Sequence, residues 1–372
     1  MKMNKQIGLL LAFLVQLLIC LTSCEMKNTQ ETYTLFVGTY TDGNSEGIYR
    51  CTFNTDTGQL TNKTVAAATA NPSFLKISPN KEYLYAVNET NTYKGENGSL
   101  TTFKIDEGQL TALDTVSSFG AHPCHIGISD DGFMVSVSNY TGGTICIFKT
   151  DVTGKLITPQ LIDHTLLDST KTSHAHSALF SNGKLFVADL GLDMLSIYPL
   201  LDEGIDVAEA EVLHLPEKAG PRHFVFSKGD AILYVINELN STITAYKRNE
   251  TGAYSVLEAQ STLDKDFKGD SYCADIRLSS DGRFLYGSNR GENTIVIFAV
   301  DQTTGKLLMI GREDVRGHWP RNFNIDPSGN FLLVANQRSN NITVYKRDKD
   351  NGTLTFAHEL ELPSPVCLEF LE

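Results

Sequence analysis

Ser129-Asp130-Asp131-Gly132-Phe133-Met134-Val135-Ser136-Val137-Ser138-Asn139 couples a polar turn to a short apolar run ending in Asn, and the same phrase returns along most of the chain. Its copies start at Ser78, Ser181, Ser227, Ser280 and Asp326 and finish at Asn88, Asp189, Asn237, Asn289 and Asn336. Five intervals separate Asn88 from Asn336, which sets a period of about 50 residues, in the range of propellers and solenoids.

A second apolar run follows each copy, as in Thr144-Ile145-Cys146-Ile147-Phe148 and Thr294-Ile295-Val296-Ile297-Phe298. Its β-branched and aromatic residues suit a pleated, half-buried surface. A second turn closes the unit and carries Gly58, Gly108, Gly154, Gly204, Gly252, Gly305 or Gly352, the residue type that takes positive φ without steric cost. Two recurrent turns in such a unit predict four antiparallel strands, so the fold class is all-β, a seven-bladed β-propeller. The first unit, which opens on Tyr33-Thr34-Leu35-Phe36, lacks an innermost strand. At the other end, Ser364-Pro365-Val366-Cys367-Leu368-Glu369-Phe370 matches the innermost strand of units such as Asn71-Pro72-Ser73-Phe74-Leu75. The ring is therefore predicted to close through the C-terminal strand, leaving no long open edge.

The propeller is expected over residues 31–372. Residues 1–23 read as a targeting segment, with Lys2 and Lys5, an apolar stretch from Ile7 to Leu21, and then Thr22-Ser23-Cys24. The small residues before Cys24 resemble the bacterial lipoprotein cleavage box. That predicts lipidation of Cys24, a tether over residues 24–30, and an exported protein held in the cell envelope only by its N-terminal lipid. The apolar stretch is short for a membrane span. Cleavage leaves 349 residues, about 50 per blade, and moves the formal net charge from −13 to −15 because Lys2 and Lys5 are lost. So acidic a chain argues against a general nucleic-acid binder. Cys51, Cys124, Cys146, Cys273 and Cys367 show no metal-like spacing, and their odd number in an exported chain favours small buried hydrophobes. A single bridge between Cys124 and Cys146 is the alternative.

In a propeller blade the first two strands run antiparallel, so the start of the first and the end of the second share one face of the ring. Pro72, Pro123, Pro221, Pro320 and Pro365 recur at the first position, and Asn88, Asn139, Asn237, Asn289 and Asn336 at the second. Blade construction accounts for both sets. Residues that differ between blades at those phases are more telling: His125, His176, Arg222, His223, Glu238, Arg290 and Arg321. They set bases, cations and a carboxylate on one rim of an acidic protein, a mixture suited to an anionic or carbonyl-bearing small molecule. His174 and His176 alternate onto one side of a strand, but no third ligand stands at a metal-binding spacing. Arg222 and Glu238 are equally readable as a structural ion pair.

Asn139-Tyr140-Thr141-Gly142-Gly143, His174-Ala175-His176, Ala188-Asp189-Leu190-Gly191-Leu192-Asp193, Gly220-Pro221-Arg222-His223 and Asn237-Glu238, in that order, resemble the propeller-type 6-phosphogluconolactonase family. That family is similar in fold to carboxymuconate lactonising enzymes, and the resemblance runs over about residues 33–372. It implies lactone chemistry without a required metal or other cofactor. It also implies a catalytic set of His176 (with His174 as its neighbouring alternative), Arg222, Glu238 and Arg290. Histidine titrates near neutrality and suits the base. Arg222 is then expected to donate to the oxyanion and Arg290 to anchor an anionic group, with Glu238 orienting Arg222 or shuttling a proton. His125, His174, His223 and Arg321 are expected to bind substrate.

Export sets the chain apart from cytoplasmic enzymes of the pentose phosphate pathway, so an unphosphorylated sugar lactone rivals the phosphorylated one. Ring closure by a cycloisomerase is a second rival. From another class comes a non-catalytic envelope propeller that binds a ligand or protein on its rim, since fold alone does not separate enzyme from scaffold. No acid-rich metal set supports a quinone- or metal-dependent dehydrogenase.

Overall fold

The computed structural model describes residues 31–202 and 204–372. The expected signal segment over 1–23, the expected tether over 24–30 and Cys24, the expected lipidation site, lie outside the described residues. Among these, the chain forms seven antiparallel sheets and two short 3-10 turns, His164–Leu166 and Lys228–Asp230. Residues 129–133 form a hairpin turn between Pro123–Ile128 and Met134–Asn139, with Gly132 at φ 76°. Thr144–Thr150 follows, then the turn of Gly154 and the outer strand Leu156–Asp163.

Six sheets are built from consecutive strands. In the seventh, Pro365–Leu371 pairs antiparallel with Thr32–Thr39, and Gly47–Asn54 and Leu60–Ala68 complete the sheet. The ring thus closes through the C-terminal strand, as the sequence predicts. The fourth blade departs from the pattern: its outer edge is split into Gly204–Ile205 and Glu211–His214, both paired with Met194–Leu201.

Second strands such as Ile232–Asn237 and Phe331–Asn336 are buried along their whole length, whereas outer strands such as Tyr254–Ser261 are largely in water. The buried runs meet across each seam. Ile232, Tyr234 and Ile236 pack on Ile276, Leu285 and Phe298 of the next blade, and Leu35, Phe53 and Phe370 on Phe331, Leu333 and Val344 at the closing seam. Each such side chain contributes roughly 1.5–3 kcal/mol when fully buried. All five described cysteines are buried and free, so the Cys124–Cys146 bridge is not formed.

The second strand of one blade also locks onto the outer turn of the next. Tyr85, Tyr234 and Tyr286 each donate a hydroxyl hydrogen bond to a glycine carbonyl in the outer turn of the following blade: Gly154 (3.0 Å), Gly305 (2.8 Å) and Gly352 (2.9 Å). A Cβ on Gly154 would lie 2.6 Å from the Tyr83 ring. Glycine is needed there for close approach as well as for its positive φ.

Candidate active site

In six of the seven blades the first strand slips register just after the turn that starts it. The ladder breaks between Pro123 and His125, Ala175 and Ser177, Pro221 and His223, and Pro320 and Asn322. At the closing seam it passes from Cys367 to Pro365, and in the sixth blade from Cys273 to Ile276. The residues left out of register are Cys124, His176, Arg222, Arg321 and Val366, with Ala274 and Asp275 in the sixth blade. A bulge bends its strand and re-aims the extra side chain. Four of these residues, Cys124, Arg222, Arg321 and Val366, line one narrow cavity together with Ser73, Phe74, Glu89, His223 and Asn322.

At the mouth, Glu238 sits between two guanidinium groups. Its Oε2 lies 2.6 Å from Nη2 of Arg290 and 3.0 Å from Nε of Arg222. The Arg222 Nε–H is buried and not aligned on that oxygen, so the pair is held by charge. Arg222 Nη1 donates to the Ala274 carbonyl at 2.5 Å. Arg290 donates to the carbonyls of Tyr272 (3.2 Å) and Cys273 (2.9 Å) and lies over the Trp319 ring. Arg321 differs from both. It stacks over the Tyr40 ring, 5.3 Å from its centroid, and among the described residues it makes no hydrogen bond or ion pair. Glu89, which accepts from Tyr40 (2.8 Å) and Ser73 (2.5 Å), supplies a second carboxylate beside it.

Three imidazoles pack edge to face below the mouth: His176 and His223 with centroids 5.2 Å apart, His125 and His223 5.3 Å apart. His125 stacks on Phe74, and its Nδ1 accepts from the Ala178 N–H at 3.4 Å. His176 has only Cys124 Sγ near Nδ1, at 3.9 Å, and an edge contact with Tyr140. His223 Nδ1 lies 2.8 Å from Asp275 Oδ1, and its Nε2 is 3.4 Å from Arg222 Nη1. His174 stands apart from the three. It stacks on Tyr140 and hydrogen-bonds the Tyr140 carbonyl through Nδ1 at 3.0 Å.

The charges follow from burial and neighbours. Burial, with Arg222 next, pushes His223 down from 6.5 to about 4 even though Asp275 opposes it. Burial and the nearby cations hold His176 well below the ordinary range, and burial with His223 does the same to His125. Burial works against the Glu238 carboxylate, but Arg290, Arg222 and Arg321 together outweigh it and lower its pKa. Burial lowers Arg290 to about 10 although Glu238 favours its charge. At neutral pH the site holds neutral imidazoles between ionised pairs. Among the described residues, no group of three or more His, Cys, Asp or Glu side chains is placed to hold a metal ion.

A family model for seven-bladed β-propeller lactonases matches residues 34–370. The chain belongs to that lactonase family. It is 39% identical over 339 residues to a 6-phosphogluconolactonase of Formosa agariphila, covering 86% of this chain and 94% of that one. It is 33% identical over 349 residues to a 6-phosphogluconolactonase of Bacillus subtilis, covering 91% and 98%. Among solved structures, a periplasmic gluconolactonase of Pseudomonas aeruginosa superposes with a TM-score of 0.86 at 31% identity, covering 92% of this chain and 99% of that one.

Of the eight candidate residues read from the sequence, the structure gathers His125, His176, Arg222, His223, Glu238, Arg290 and Arg321 and sets His174 on Tyr140; Tyr40, Glu89, Asp275, Trp319 and Asn322 were not among the eight. The signal for Glu89 was present: it follows Asn88 as Glu238 follows Asn237. Asp275 carried no comparable mark, because its importance comes from His223 in the neighbouring blade.

Proposed function

We propose that this lactonase hydrolyses an unphosphorylated sugar lactone in the cell envelope. The charge count of the mouth carries the reading. Arg222, Arg290 and Arg321 face Glu238 and Glu89, which leaves one net positive charge. That suffices for a developing oxyanion or a product carboxylate and falls short of a phosphate dianion. Water adds to the lactone carbonyl carbon, a guanidinium donates to the oxyanion, an imidazole accepts the water's proton, and the ring oxygen leaves with a proton. From the sequence, His176 is the residue expected to act as that base. Arg290 is committed to Glu238 and two carbonyls, so we assign the substrate-facing fork to Arg321. Lipidation at Cys24 and export follow from the N-terminal segment and fit a substrate met outside the cytoplasm.

The test is a hydrolysis panel on the mature protein, with spontaneous opening subtracted. Gluconolactone should exceed its phosphorylated form in kcat/KM by about tenfold or more, a difference of about 1.4 kcal/mol. Faster opening of the phosphorylated form removes the substrate assignment, and no opening of either removes the enzyme class. Activity should also sediment with membranes and be released by Cys24→Ala.

Trp319 lies beside Arg290 at the edge of the site. Its φ of 69° is unusual for so bulky a side chain, and the ring is held between Arg290 and Arg338. The residues at the same phase are smaller or more permissive: Asn71, His122, Gly220 and Ser364, all at positive φ. Trp319→Gly relieves about 1–2 kcal/mol of backbone strain and forfeits ring contacts of similar size. Stability should therefore change by less than about 1 kcal/mol while KM for the lactone rises about tenfold. An unchanged KM would show that the ring only props Arg290.

A further inference from the structure

Three imidazoles share the channel, and among the described residues only His223 has a partner that can support a positive charge. Asp275 is buried and accepts from His223, from the Ile276 N–H at 3.0 Å and from the Asn322 side chain at 2.6 Å, and it pairs with Arg277 at 3.3 Å. So well solvated by donors, it stays ionised, with a pKa well below the usual carboxylate range although burial alone would raise it. An ionised carboxylate has no proton to give. The hydrogen on the His223–Asp275 bond is therefore on Nδ1, and the lone pair on Nε2 faces Arg222. A carboxylate on one ring nitrogen fixes the tautomer and stabilises the imidazolium that forms when the other nitrogen takes a proton. Among the described residues, His125 and His176 have no carboxylate on either nitrogen.

We propose that His223, oriented by Asp275, is the proton-transfer residue of lactone opening, with Nε2 as the reacting atom. This rests on the lactonase reading and replaces the expectation that His176 is the base. Water oxygen bonds to the carbonyl carbon as one water proton passes to His223 Nε2. When the ring C–O bond breaks, the departing oxygen takes that proton from the imidazolium and becomes the hydroxyl of the open acid. Asp275 touches no reacting atom and is a positioning residue. His176 packs against the His223 ring and keeps water from its face.

The experiment compares His223→Gln, Asp275→Asn and His176→Gln on gluconolactone, with thermal melting to confirm folding and kcat separated from KM. His223→Gln should lose about 10²–10⁴-fold in kcat, the usual span for general acid–base groups. Asp275→Asn should lose about 10²-fold in kcat with KM nearly unchanged, because it leaves the cavity lining intact and spoils the tautomer. His176→Gln should stay within about tenfold of the parent. The parent's kcat/KM should hold level on acidification until near pH 4, and Asp275→Asn should move that limb lower by removing the charge that supports protonation. The other groups facing His223, namely Arg222, Arg277, His125 and His176, remain in place in that variant. His223→Gln within tenfold of the parent, or His176→Gln showing the larger loss, would overturn the assignment. Should His223→Gln fail to fold, the kcat loss and limb shift in Asp275→Asn decide it, and a parent-like Asp275→Asn overturns it. If the parent opens no aldonolactone at all, the lactonase reading itself has failed.

Discussion

Glu238→Gln should lower stability by about 3–5 kcal/mol and kcat/KM by about 10²-fold. The carboxylate lies 2.6 Å from Arg290 and 3.0 Å from Arg222, both nearly inaccessible to water, and is itself only 16% exposed. At an effective dielectric of about 20, each contact is worth about 6 kcal/mol of attraction. Much of that is spent on desolvating the ions, so the intact cluster adds little net stability. Removing one partner is a different matter, because the desolvation cost stays while the attraction goes. Glutamine keeps the shape and takes away the charge, leaving Arg222, Arg290 and Arg321 to repel one another at the mouth. The oxyanion donors then splay apart, which reaches the chemistry as well as the fold. Urea unfolding and gluconolactone kinetics on the same preparation read both effects. A variant with parental stability would show that the three guanidinium groups are held by their carbonyl and ring contacts alone.

The fold was legible because each blade repeats its own evidence. A turn of Ser129-Asp130-Asp131-Gly132 type followed by a buried run needs no knowledge of its neighbours, and the absent first strand next to Tyr33 together with the surplus one at Pro365 specified the closure. The fourth blade escaped this reading. Its Gly204 turn has the repeat's chemistry, yet the following residues break the edge into two short strands, and no local pattern announces that. The Tyr234–Gly305 type of lock was also hidden, since donor and acceptor are 71 residues apart and meet only once blades are stacked.

The site was half legible for a related reason. Phase within the repeat gathered residues that the structure brings together, because positions at equal phase lie at equal height around a ring. Phase did not say which side chains turn inward. Arg222 and His223 are adjacent and would point to opposite faces of a regular strand, yet the bulge between Pro221 and His223 lets both reach the cavity. Nor did phase reveal that Asp275 completes His223, for that bond crosses from one blade to the next.

Acidification should destabilise the protein between about pH 6.5 and 4, and the three channel histidines set the sign. His223 titrates at 6.5 in an unstructured chain and at about 4 in the fold. Between those values the unfolded chain carries the proton and the folded one does not, so stability falls as pH falls. The contribution of His223 is fully present above 6.5, is lost progressively on the way down, and amounts to roughly 3 kcal/mol once pH is below both values. His125 and His176, held well below the ordinary range by burial and neighbouring charge, act in the same direction. Glu238 and Asp275, both lowered in the fold, add to the loss only once the pH drops to the ordinary carboxylate range. Urea unfolding at several pH values between 8 and 4 should therefore give a midpoint that is flat at first and then drops. His125→Phe isolates the cause. It keeps a ring against Phe74 and forfeits the hydrogen bond from Ala178 at every pH, so it should cost a constant amount while making the acid slope shallower. A slope as steep as the parent's would place the acid sensitivity outside the channel, in the carboxylates of the surface.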